Sequence, residues 1–216
     1  MILPLALTIL FCFFGLITMV SVYTRWPLTV QSFLKAGTTA LLLPLTLQML
    51  RDRSPQTLMP LVLALSFATV ADFLLHLELS LGVVFFALVQ ISFLVYEWGI
   101  GFHYTLYSVG SAAVILLLSL LFMGFSLPRI KRPRFEKTVI VVYFCLLTLA
   151  AMGALLTANP LAALGMVLFY VSDLVIGLRD FWGFKRGPFD PRIRFFVLNM
   201  TLYWAGLCCV AWSAGA

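Results

Sequence analysis

Apolar runs about twenty residues long, separated by short polar joints, fill this chain from end to end. A bilayer-spanning helix needs ~20 mainly apolar residues. Eight stretches qualify, at 2–22, 30–50, 57–77, 81–98, 103–125, 137–157, 160–179 and 195–213. The joints carry residues that end helices: Pro27, Pro55, Pro60, the Gly99/Gly101 pair, Pro128, Pro133, Asn159-Pro160, Pro188 and Pro191. The pattern predicts an all-α integral membrane protein of about eight transmembrane helices. No stretch remains for a soluble domain, so residues 1–216 read as one membrane domain with two longer basic loops, near 126–136 and 180–194. Residues 1–22 lack a basic n-region and a small-residue cleavage site before Tyr23, so they read as a retained first span, not a signal peptide.

Composition sharpens that class. Hydrophobic residues make up 63% of the chain and charged ones 10%, with a mean hydropathy of +1.10; a soluble domain carries about 25% charged residues. The basic residues also divide unequally. Arg25, Arg129, Lys131, Arg132, Arg134, Lys137, Arg179, Lys185, Arg186, Arg192 and Arg194 fall on one side of the membrane, and only Arg51 and Arg53 on the other. The positive-inside rule then places the basic loops in the cytosol and both termini outside it. The host would be a bacterial inner membrane, or an ER-type membrane in a eukaryote. Orientation and attraction to anionic headgroups account for the net charge of +6, which leaves no case for a nucleic-acid partner. Cys12, Cys145, Cys208 and Cys209 lie in spans without C-x-x-C spacing, and with two histidines they make no metal-ligand cluster. Reduced, buried thiols are expected.

Candidate chemistry lies where polar residues interrupt the apolar runs. Asp72 sits in the third span and Asp173 in the seventh. A carboxylate in hydrocarbon persists only with a partner, as the neutral acid, or beside water. Asp72 and Asp173 lie about five and six residues from the cytosolic ends of their spans, Lys35 about five into the second and Asn199 about four into the eighth. At 1.5 Å per residue, all four lie roughly 6–9 Å below the cytosolic boundary. One site could hold them if spans two, three, seven and eight adjoin.

Plainer roles stand beside that one. Lys35 could snorkel to the headgroups. Asp72 could be tied to Lys35 or His76, and Asp173 to Tyr170, Ser172 or Asn199. Gln90, midway along the fourth span, suits an interhelical hydrogen bond. Glu78 and Glu97 fall at span ends, where solvation is expected, and His103 is interfacial. Tyr96, Trp98, Tyr104, Tyr107 and Trp182 read as aromatic-belt residues. Tyr203 and Trp204 lie deeper, where they could pack against a lipid chain.

A faint duplication connects the two aspartates. Val70-Ala71-Asp72 and Val171-Ser172-Asp173 are 101 positions apart, and Leu45-Thr46-Leu47 and Leu147-Thr148-Leu149 are 102 apart. Phe85-Phe86 with Gln90 and Ser92 echoes Phe195-Phe196 with Asn199 and Thr201. Repeats 1–100 and 101–216, of four spans each, would be parallel and related by an axis along the membrane normal. An enzyme, a small transporter or channel using intramembrane carboxylates, and a non-catalytic lipid-binding protein all remain open on these residues.

Phe169-x-x-Ser172-Asp173-Leu174, running on to Arg179-Asp180-Phe181, resembles the seventh-span motif of the YhhN/lysoplasmalogenase family. Lys35-Ala36-Gly37-Thr38-Thr39 is similar to its second-span Lys-Pro-x-Thr-Thr motif. Ser66 with Ala71-Asp72-x-x-Leu75 resembles its third-span Gly-Asp motif, and Gly82 with Phe86 opens the fourth span as in the family. Ala36 stands where the family has Pro, Ala71 where it has Gly, Gln90 where a His is usual and Phe93 at the following Tyr. The family's last-span Tyr-Tyr-x-Ala-Gln reads Leu202-Tyr203-Trp204-Ala205-Gly206 here.

The resemblance implies hydrolysis of the vinyl ether bond of lysoplasmalogens to a fatty aldehyde and a glycerophospho-base, with a lysophospholipid substrate, surrounding membrane lipids as partners and no metal or organic cofactor. Two carboxyls could divide that labour as in glycoside hydrolysis. Asp173 is assigned as general acid. Asp72 is assigned as the base that stabilises the cation and handles water; the reverse assignment also fits. Lys35, with Thr38 and Thr39 at i+3 and i+4, could contact the substrate phosphate. Gln90, Ser172, Asn199 and Tyr203 complete the expected substrate-binding set.

Overall fold

Large apolar side chains face outward along much of the chain, among them Leu5, Ile9, Phe13 and Leu16 near its start and Leu117, Leu120 and Leu121 in its middle. An exterior of this kind suits lipid, since water-soluble proteins avoid apolar patches so large. A computed structural model describes residues 2–49, 55–75, 77–181 and 191–215. His76, Trp182, Pro188, Arg51, Arg53, Lys185 and Arg186 lie outside them. The helices are α1 (Ile2–Tyr23), α2 (Leu28–Ala40), α3 (Leu42–Met49), α4 (Pro55–Leu74), α5 (Leu79–Ile100), α6 (Leu106–Ser126), α7 (Arg134–Leu155), α8 (Pro160–Phe181) and α9 (Pro191–Ser213). Among the described residues, α1, α5, α6, α7, α8 and α9 each contain a segment long and apolar enough to cross a membrane, and α4 carries a shorter one, Met59–Leu74. The chain is a multi-pass, all-α membrane protein.

Two joints differ from expectation. The second span is divided into α2 and α3 at Leu41, because Pro44 has no N–H to offer the Ala40 carbonyl four residues back. Pro60, expected at a joint, lies inside α4, which begins at Pro55; so near the helix start its missing donor costs one bond, to Gln56, and the helix runs on. Other joints follow local chemistry. Gly101 ends α5 at φ +86°, a conformation that favours glycine. Asn159 caps α8, its Oδ1 accepting the N–H groups of Leu161 and Ala162 at 3.1 Å each, ahead of Pro160 at the first helical position.

Neighbours follow a regular order. Early in the chain α1 packs on α2, α2 on α4 and α4 on α5; later α6 packs on α7, α7 on α8 and α8 on α9. Between these groups α5 meets α7 and α3 meets α9. Buried alanines line the crowded seams, Ala64, Ala68 and Ala71 on α4 and Ala150, Ala151 and Ala154 on α7, as close packing in membranes favours. The core rings Phe86, Phe93, Phe169 and Tyr203 meet edge-on. By contrast α6 leans chiefly on α7, touches α8 only lightly, and is mostly exposed on its outer face.

The α8–α9 crossing is the tightest feature. A Cβ on Gly206 would lie 2.7 Å from the Gly165 carbonyl oxygen, and one on Gly165 would lie 2.6 Å from that of Gly206. Backbone atoms there cannot step aside, so a family-like glutamine at 206 has no room. Gly206→Leu is expected to cost about 1–3 kcal/mol or more of stability. Gly110→Leu, in open space, should cost little. Thermal unfolding of the two variants in the same lipid nanodiscs checks the contrast; equal midpoints would refute it.

Several side chains lie deeper than their span-end positions suggested. Glu97 is 1% exposed, enclosed because α7 presents Gly153, whose missing side chain leaves the space the carboxylate fills. Tyr96 is also buried, its hydroxyl 2.9 Å from Ser213 Oγ; it points inward while Trp98, Tyr104 and Tyr107 face outward. Glu78 and His103 are exposed. The free cysteines are not buried thiols: Cys12 and Cys145 are exposed, and Cys208 and Cys209 are partly so.

Candidate functional site

Six helices bring their polar residues together in the bundle. From α2, Lys35 reaches Asp72 of α4, with Nζ 2.9 Å from Oδ1. Asp72 Oδ2 accepts the Thr39 hydroxyl at 2.5 Å and the Tyr203 hydroxyl of α9 at 2.9 Å. The Lys35 ammonium also lies 5.5 Å from the centre of the Tyr203 ring, within cation–π range. Asp72 is 0% exposed and Lys35 4%, so Lys35 does not snorkel to the headgroups. A buried ion pair needs further hydrogen bonds to persist, and Thr39 and Tyr203 supply two of them at Asp72 Oδ2.

Asp173 stands apart from that pair. It accepts a hydrogen bond from the Tyr143 hydroxyl of α7. The adjacent Ser172 donates to Asn199 Oδ1 of α9 at 2.8 Å, pinning α8 to α9 beside the carboxylate. Gln90 of α5 is fully buried near Tyr143, with no hydrogen bond of ordinary geometry at its amide.

A cavity of about 570 Å³ opens beside these groups. Lys35, Tyr143, Ser172, Asp173, Asn199 and Tyr203 give it a polar wall, and Leu75, Leu79, Val83, Phe86, Phe196 and Met200 an apolar one. Arg129, Lys131, Arg132 and Arg179 also line it, toward its mouth. Asp72 is absent from the lining and sits behind Lys35 and Tyr203. One carboxylate therefore faces the cavity and the other braces its wall.

The placement of the expected residues follows helix geometry. Lys35, Ser172, Asp173, Asn199 and Tyr203 line the cavity, whereas Asp72, Thr38, Thr39 and Gln90 do not. On a helix of 100° per residue, Thr38 and Thr39 flank the direction of Lys35 on opposite sides. Thr39 therefore turns to Asp72, and Thr38 turns to α1, with its hydroxyl 3.2 Å from that of Thr18. That orientation differs from the expected shared face with Lys35. Tyr143 escaped sequence reasoning. Its one signal was depth: a tyrosine in mid-span within Thr138–Thr148 lies too far inside to serve in an interfacial belt.

The arrangement can hold an amphipathic molecule with its apolar part on the α4–α5–α9 wall, its anionic part at the rim and a reactive bond at Asp173. Among the described residues no group of His, Cys, Asp and Glu is placed to hold a metal. No curated protein and no solved structure matches the chain. A family model matches residues 30–214, nearly the whole length and every helix except α1. The chain belongs to the YhhN family.

Proposed function

We propose that the protein hydrolyses the vinyl ether bond of single-chain alkenyl glycerophospholipids, with Asp173 as the group that handles the proton. The observation that carries this reading is a carboxyl group opening onto an amphipathic cavity within a membrane protein. Membership of the YhhN family agrees with a lysoplasmalogenase-type hydrolase.

The chemistry needs one well-placed acid. Asp173, in its neutral form, gives its proton to the alkenyl carbon distal to oxygen. The π electrons form the new C–H bond, and an oxygen lone pair yields an oxocarbenium ion. The resulting carboxylate takes a proton from water as that water adds to the carbon bearing oxygen. The hemiacetal then breaks its bond to the glycerol oxygen, which leaves protonated, and a fatty aldehyde remains. One water is consumed overall. Tyr143 fixes the orientation of Asp173 by donating to Oδ2, which leaves Oδ1 to carry the proton.

Asp72 takes a different part from Asp173. Sealed from the cavity, it acts through Lys35 and Tyr203 as a positioning residue. An unpaired ammonium beside the cavity would oppose a developing cation; at 2.9 Å from Asp72 the Lys35 charge is largely cancelled. Acid and base roles both fall to Asp173, as microscopic reversibility permits.

Mass spectrometry of purified protein incubated with alkenyl, alkyl and acyl lysophospholipids tests the reading. Aldehyde release from the alkenyl lipid alone is expected. Cleavage of the acyl forms instead would replace the reaction while keeping the site. Intact lipids throughout, or full activity in an Asp72→Asn, Asp173→Asn double variant, would sink it.

A further inference from the structure

Gln90 has a cost that the cavity does not explain. Its side chain is 0% exposed and does not line the cavity, and neither amide atom has an ordinary hydrogen bond. Buried polar groups are almost always paired, because an unpaired one loses water and gains nothing in return. An apolar side chain of the same length would fill the place without that loss. The amide therefore needs a partner, and its surroundings supply one.

On α5, Phe86 and Phe93 bracket Gln90 at i−4 and i+3, which puts all three on one face. Both rings pack edge-on against Phe169 of α8, each with centroids 6.3 Å apart, and Phe86 also meets the Tyr143 ring of α7 at 6.2 Å. The amide lies among these rings, beside the Tyr143 hydroxyl. Tyr143 gives its one proton to Asp173, so toward Gln90 its oxygen can only accept. The NH2 end of the amide meets that need, and the carbonyl end does not. The last torsion of a glutamine is broad, so a small turn of the amide completes the bond.

We propose that Gln90 is a positioning residue for Asp173: its amide donates to the Tyr143 oxygen and so commits the Tyr143 proton to the carboxyl group. With that oxygen occupied, the hydroxyl has one direction left for its proton. Donation also polarises the O–H, which strengthens its bond to Asp173. The gain is largest once the carboxyl has given up its own proton and is charged. Gln90 acts wholly through Tyr143 and touches no substrate. The part that Asp173 plays in catalysis rests on the proposed hydrolase reading; the hydrogen-bond series from α5 through α7 to α8 does not.

Infrared spectroscopy of the full protein in nanodiscs reads that series without any turnover. The C=O stretch of a neutral carboxyl stands apart from the amide bands, and it rises in frequency when a hydrogen bond to its oxygen weakens. At a pH acid enough to protonate Asp173, the band that Asp173→Asn removes belongs to this residue. Gln90→Met keeps the unbranched chain without the amide, and it should raise the band in frequency, in the same direction as Tyr143→Phe. Gln90→His, which retains an N–H donor, should hold the band nearer its wild-type position. Aldehyde release should follow the spectra. Gln90→Met is expected to lower kcat about threefold with KM unchanged, and to add nothing in a Tyr143→Phe background.

A band that stays in place in Gln90→Met, or a kcat loss that adds in full to that of Tyr143→Phe, would overturn the proposal. A shifted band in Gln90→Met, with no aldehyde release from the wild type, would keep the hydrogen-bond series and remove the hydrolase reading.

Discussion

Asp173→Asn is expected to lower aldehyde release from alkenyl lysophospholipid by about 10²–10⁴-fold, the range for loss of a positioned general acid. The substitution keeps the shape of the side chain. Its amide oxygen still accepts the Tyr143 hydroxyl, and the Ser172–Asn199 bond at 2.8 Å is untouched. Stability and lipid affinity should therefore stay near wild type, so the loss falls on kcat and leaves KM within about threefold. Tyr143→Phe keeps the carboxyl but frees its orientation, and about a tenfold loss is expected, equivalent to ~1.4 kcal/mol in the transition state. Steady-state aldehyde measurements on both variants check the order. An Asp173→Asn protein that works within threefold of wild type would remove this residue from the chemistry.

The second large effect concerns folding. Lys35→Met should destabilise the protein by about 3–5 kcal/mol, the cost of leaving a buried charge without its partner. Asp72 has 0% exposure, and methionine offers its carboxylate neither charge nor donor in place of the ammonium. Thr39 and Tyr203 remain as donors to Oδ2, but two hydroxyls carry no charge. Adding Asp72→Asn to Lys35→Met should recover most of the loss, because the neutral amide still accepts both hydroxyls. Unfolding in mixed micelles or nanodiscs measures the cycle. Additive losses in the double variant would show that the two side chains do not depend on each other. Activity need not return with stability, since Tyr203 also lines the cavity and its position depends on Asp72.

Much of the fold was legible because hydrocarbon is a demanding solvent. It requires long apolar helices, so the positions of α1 and of α5 to α9 followed from hydropathy alone, while the second stretch divides at Leu41 and α4 carries only the shorter apolar run Met59–Leu74. The same demand drew attention to Lys35, Asp72, Asp173 and Asn199, and their common depth corresponds to the site that the helices form. What escaped depended on partners in three dimensions. Glu97 has the sequence environment of a solvated span end, and only Gly153 on another helix makes room to bury it. Tyr143 looks like one aromatic among many until α7 is set beside α8. Depth put both aspartates in one layer, but which one opens onto the cavity was decided by Tyr203 and Lys35 lying across Asp72. Gly206 gave no hint that it marks a helix crossing, because its counterpart Gly165 is 41 positions away.

On the proposed reading, one wall of the cavity would give the protein an unusual relation to concentration. The α6–α8 seam closes where the Phe122 ring lies over Gly177, with its Cζ 2.5 Å from where a Cβ would stand, and both residues face the cavity. Deeper in the bundle the Ser119 and Tyr170 hydroxyls meet at 2.7 Å, but at the cavity this seam is closed by one aromatic ring against bare backbone. On the proposed hydrolase reading, a single-chain lipid that passed there would arrive sideways from the leaflet without entering bulk water. Its supply is then a two-dimensional quantity, the mole fraction of that lipid in the surrounding leaflet. Diluting the leaflet with inert lipid would starve the site even while the total molarity in the tube stays constant.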